Sequence, residues 1–76
     1  MKLKPIKANM NELVIDRDTA ILFSYETPVA GWDSQGAFRT DKHYSQTTTR
    51  HINQYLNGKD IGRVVSQEYI NQLMEA

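Results

Sequence analysis

The order of apolar and polar residues divides the chain into an alternating first half and a helix-spaced second half. In "NELVID", residues 11–16, Leu13 and Ile15 point one way while Glu12, Val14 and Asp16 point the other, as a half-buried strand requires. "AILFSYE", residues 20–26, sets Ile21, Phe23 and Tyr25 on one face and Ala20 and Leu22 on the other, which suits an interior strand. The aspartates of the intervening "DRDT" can bond their own backbone in a turn, so a β-hairpin is predicted from Asn11 to Glu26. Pro28 interrupts this run, because it has no amide hydrogen for a central strand to donate. "VAGWDSQGAFRT" then predicts a second hairpin, with arms Val29–Trp32 and Ala37–Thr40 and a turn opened by Asp33 and closed by Gly36. Gly31 marks a bulge or a place where another backbone comes close.

The period changes at "YSQTTTRHINQYLNG". A run of β-branched threonines makes a poor helix interior but a good helix start, where a hydroxyl accepts from an otherwise unpaired amide. Ser45, Thr47 and Thr48 are each a possible N-cap, and the sequence does not choose among them. Beyond the cap, Thr48, His51, Ile52, Tyr55 and Leu56 share one face, and Asn57-Gly58 offers a left-handed ending. A second helix is predicted after Ser66, with Val65 stapling onto Ile70 and a stripe of Ile70, Leu73 and Met74. Between the helices, Ile61 and Val64 are assigned to the core and Gly62 to a turn. The predicted architecture is therefore α+β: a small antiparallel sheet of about three to four strands, built from hairpins, with two short helices on one face. It forms a single domain over residues 1–76, with residues 1–9 irregular.

Composition narrows the function. The 76 residues carry no cysteine, which excludes disulfides and thiolate metal sites, and no apolar run long enough to span a bilayer. The lysines of "MKLKPIK" are not followed by the apolar stretch of a signal peptide, so a cytoplasmic protein is expected. Nine basic and nine acidic side chains cancel, which argues against a mainly electrostatic partner and leaves self-association open. His43 and His51, with Asp41 nearby, show no recognised ligand spacing, so no metal site is expected. Nor is a cofactor: the glycines are scattered and form no phosphate loop. Asp16, Asp18 and Asp33 sit in turns rather than as an acid–base pair, and no serine lies in a nucleophile elbow; the expectation is a protein that is not an enzyme.

The order "FSYETPVA", "FRTDKHYSQTTTRHINQYLNG" and "VSQEYINQL" resembles a family of small, uncharacterised phage-encoded proteins. The resemblance rests on Tyr25, Thr27 to Ala30, Arg39-Thr40, Ser45, Thr47, Thr48, Arg50 and His51, and covers roughly residues 10 to 74. It implies a phage or prophage origin, hence the host cytoplasm, and no particular chemistry. The functional expectation is a non-enzymatic accessory protein that binds a host factor, a defence component or another copy of itself. In that reading Arg50 and His51 leave the helix start as a polar pair, Trp32 or Tyr44 serves as an aromatic anchor, and Arg39 completes the candidate interaction set. The alternative is a small DNA-binding module. Arg39, Lys42, His43, Arg50, His51 and Lys59 cluster in sequence beside Tyr44 and Tyr55, and a helix N-terminus can hold a phosphate.

Overall fold

A computed structural model describes residues 2–75. Five strands run as an antiparallel meander: β1 (Lys2–Lys7), β2 (Met10–Val14), β3 (Ala20–Ser24), β4 (Thr27–Asp33) and β5 (Gly36–Thr40). Helix α1 (Gln46–Leu56) then crosses over the sheet, so that β6 (Arg63–Val65) joins the edge parallel to β5, and α2 (Gln67–Glu75) ends the chain. A parallel neighbour needs such a crossover, because a tight turn can only reverse the chain.

Both expected hairpins form. Asp16 Oδ1 accepts the Asp18 amide at 2.8 Å in the first, and Asp33 Oδ1 accepts the Gln35 amide at 2.9 Å in the second. The sheet nevertheless has six strands rather than three or four. Of residues 1–9, expected to be irregular, Met1 lies outside the described residues, Ala8 and Asn9 turn the chain into β2, and Lys2–Lys7 form strand β1. Its alternation of lysine with Leu3 and Pro5 hides a strand, since pairing with β2 requires little burial. Pro28 does not interrupt β4. It sits where the β3–β4 register shifts, and a bulge there leaves no ladder bond for its missing amide to break. The freed Pro28 carbonyl accepts from Gln67 Nε2 at 2.7 Å.

The helices also lie on opposite faces of the sheet, not together on one. Leu22 packs with Met10, Val29, Ala30, Ile52 and Leu56 beneath α1. Its neighbour Ile21, pointing the other way, packs with Phe38 and Ile70 beneath α2. Val29 and Ala30, adjacent in sequence, reach the same cluster because of the bulge between them and Pro28. The result is a thin three-layer sandwich with two small cores. Gly31 is required at its centre: a Cβ there would stand 2.2 Å from the Ala20 carbonyl oxygen and 2.9 Å from the Phe38 ring. Ile61 and Val64, assigned to the core, are exposed: Ile61 lies in the loop before β6, and β6 is an edge strand on which Val64 is left uncovered.

At the far end of the sheet one clasp ties three elements. Arg63 Nη2 donates to Asp33 Oδ1 at 2.8 Å, joining β6 to the β4–β5 turn, while the Tyr69 hydroxyl of α2 donates to the other carboxylate oxygen. The Arg63 guanidinium lies 5.9 Å from the Phe38 ring centroid and 5.8 Å from that of Tyr69, so the cation is covered by two aromatic faces.

Candidate functional site

Helix α1 is capped as its threonines suggest, and Ser45 is the cap. Its extended backbone (φ −165°, ψ 166°) lets its hydroxyl accept the Thr48 amide, and Asn57 at φ 64° closes the other end. One turn inside, Thr48 and His51 face the sheet and are buried. Both converge on Ser24 at the end of β3: its Oγ is 3.0 Å from Thr48 Oγ1 and 2.7 Å from His51 Nδ1. Ser45 Oγ in turn donates to Thr48 Oγ1 at 3.2 Å. Each hydroxyl has one proton, so the run is satisfied when Thr48 donates to Ser24 and Ser24 donates to Nδ1, which leaves the ring proton on Nε2. Neutral imidazole is what burial favours: desolvation first, and then the charge of Lys7, lower the His51 pKa.

A serine on a histidine suggests a nucleophile and its base. Here Ser24 is 1% exposed, so its oxygen is closed off from solvent, and it links both neighbours in a buried relay. His43, the other imidazole, is exposed, with Nδ1 3.4 Å from Thr49 Oγ1. Among the described residues no group of three or more His, Cys, Asp or Glu side chains could hold a metal ion.

Directly over the relay stands Tyr25. β3 ends at Ser24, not at Glu26, and Tyr25-Glu26 form a two-residue turn between the paired Ser24 and Thr27. Tyr25 is held at φ 58° with its amide donating to the Asn9 carbonyl at 2.7 Å. Glycine, asparagine or aspartate ordinarily fills such a position, and a bulky aromatic there is strained. Burial does not compensate, because the residue is 49% exposed. Its ring rests on His51 at a centroid distance of 5.9 Å and otherwise faces outward.

Two adjoining hollows share Asn11, Tyr25 and Glu26. One, of about 380 Å³, is mainly apolar and is lined by Leu3, Asn11, Leu13, Phe23, Tyr25 and Glu26. The other, of about 560 Å³, is polar, with Asn9, Asn11 and Thr27 around Tyr25 and Glu26. The apolar hollow exists because α2 packs over Phe38 and Ile21 and leaves the β1 end of its face open.

The five residues singled out from sequence do not form one surface. Arg39 is a clamp on the end of α1: Nη1 donates to Asn53 Oδ1 at 3.0 Å, Nη2 to the Gly58 carbonyl at 2.8 Å and Nε to the Ile61 carbonyl at 2.9 Å. His51 is buried in the relay, so it does not leave the helix as a polar pair with the exposed Arg50. Trp32 and Tyr44 are partly exposed, but Trp32 pairs with Ala20 at the opposite end of β3 from Tyr25. Tyr25, Leu3 and Phe23 were missed. The available signal was an aromatic residue at a tight turn that has no glycine or asparagine.

Among the described residues no helix is long and apolar enough to cross a membrane. The model of a family of unknown function (DUF8033) matches residues 1–72, which is nearly the whole chain. No curated protein and no solved structure matches it.

Proposed function

The chain belongs to this family of unknown function, and we propose that it is a non-enzymatic protein-binding domain whose contact surface is centred on Tyr25. The observation that carries the reading is a strained, half-exposed aromatic between two contiguous hollows. Backbone strain that packing does not require persists where the side chain is used. A tyrosine with its body on a rigid base and its face open is the type of anchor around which interface energy concentrates. The phage or prophage origin implied by the sequence resemblance belongs to the same proposal, with a host protein as the partner it suggests.

Duplex DNA is supported less well. Ser45 and Thr48, the hydroxyls best placed for a phosphate at the start of α1, are occupied by the cap and the relay, and the net charge is zero. The test is affinity capture with the wild type and with Tyr25→Asn, alongside titration of labelled duplex DNA at low and high salt. A protein retained by the wild type and released by the folded variant supports the reading. Equal retention by both, or tight salt-sensitive DNA binding instead, overturns it.

A further inference from the structure

Strand β1 presents the longer free edge of the sheet. All six of its residues are exposed, and its other side is already paired with β2. The opposite edge, β6, has only three residues. On β1 the side chains alternate in character. Lys2 and Lys4, opposite Val14 and Glu12, point to the α1 face, while Leu3, opposite Leu13, points to the α2 face beside the apolar hollow. Neither lysine is in an ion pair: Arg63–Asp33 is the one among the described residues, and Glu12, the cross-strand neighbour of Lys4, has its carboxylate on the Tyr55 hydroxyl.

We propose that β1 takes up an extended segment of a partner protein as an added antiparallel strand, with acidic side chains beside Lys2 and Lys4 alternating with apolar ones beside Leu3. This deepens the protein-binding reading and rests on it. Main-chain hydrogen bonds to the free edge supply affinity, and alternate side chains supply specificity, because each face of the added strand meets a different chemistry. On the α2 face an apolar side chain next to Leu3, itself 60% exposed, extends the floor formed by Leu13 and Phe23 outward past β1. On the α1 face carboxylates oppose ammonium groups that are in no ion pair, the favourable cross-strand pairing. A second copy of this chain is a poor occupant. Two β1 strands paired antiparallel in one continuous sheet set lysines against lysines on the same face.

The experiment uses three short synthetic peptides: one alternating Glu and Val, one alternating Lys and Val, and one with the same Glu and Val in two blocks. Binding to the whole protein is followed by backbone amide NMR. The alternating acidic peptide should bind most tightly, weaken with added salt, and bring new exchange protection to amides of β1. Lys2→Glu combined with Lys4→Gln should weaken it about tenfold, and Leu3→Ser should weaken it with no change in salt dependence. Equal binding of the block or lysine peptides, or binding without protection in β1, overturns strand addition. If the acidic peptide instead shifts only Tyr25 and Phe23, strand addition fails while the Tyr25-centred surface stands. If Tyr25→Asn leaves the capture of a protein partner unchanged, that surface fails, whatever the peptides do.

Discussion

Ser24 and His51, 27 residues apart in the chain, meet at 2.7 Å where the last residue of β3 lies under α1. Burial disfavours the charged imidazole, and in the neutral form Nδ1 is free to accept the Ser24 hydroxyl. Acid should therefore loosen the fold at this point. The His51 pKa is lowered in the folded protein, so the unfolded chain takes up its proton first as pH falls. The stabilisation is fully present above about pH 6.5, the ordinary histidine value, and is lost as pH falls through the depressed folded value. Urea unfolding across this range should show the decline in the wild type, and a much smaller one in His51→Gln. Parallel curves for the two proteins would refute the assignment.

Tyr55 makes the complementary case at high pH. Burial first, and then the hydrogen bond and charge of Glu12, raise its pKa far above the ordinary tyrosine value. Here the unfolded chain gives up its proton first, so stability present below about pH 10 is lost as pH rises beyond it. Tyr55→Phe should lower stability at neutral pH by about 1–3 kcal/mol, since a partly buried carboxylate loses its donor. The same variant should flatten the alkaline decline, which thermal melts over pH can measure.

Gly31→Ala is expected to be among the most damaging small substitutions. The added methyl meets the Ala20 carbonyl oxygen and the Phe38 ring, and the neighbouring β-strand backbone cannot withdraw without breaking the ladder. The cost should reach about 3 kcal/mol. Gly36→Ala, whose Cβ meets nothing within 4 Å, should cost only its backbone strain, about 1 kcal/mol. Denaturant midpoints of the two variants, taken together, check the argument.

Tyr25→Asn should separate stability from binding. Asparagine accepts φ 58° far more readily than tyrosine, so relief of strain offsets the lost contact with His51. Stability should stay within about 1 kcal/mol of wild type or rise, while partner capture is lost. A fall of several kcal/mol would make Tyr25 a structural residue and remove the main support for the proposed surface.

Arg39→Lys should behave in the opposite way, destabilising the protein without touching that surface. An ammonium cannot reach Asn53, Gly58 and Ile61 at once, so unpaired carbonyls remain at the end of α1. The loss should be about 2 kcal/mol by chemical denaturation.

Local chemistry wrote much of this protein into its sequence. Asn57 and Ser66 mark helix ends by local chemistry, a cap among Ser45, Thr47 and Thr48 was legible though only the structure selects Ser45, and Asp16 and Asp33 turn the chain through bonds to amides two residues on. The buried stripe of α1 follows from spacing alone, as does that of α2, where Ile70 is buried and Leu73 and Met74 are half-buried, and turn chemistry gives the pairing of β2 with β3 and of β4 with β5. Tertiary contacts decided the rest. A helical stripe says that one side is buried, not which face of a sheet receives it, so the placement of α2 opposite α1 depended on where the crossover left β6. β1 and β6 are strands because neighbours offered them free edges; their own alternation is too short or too charged to announce it. The relay of Ser45, Thr48, Ser24 and His51, and the strained turn above it, join residues from distant segments. Their positions were open until the sheet brought them within a hydrogen bond.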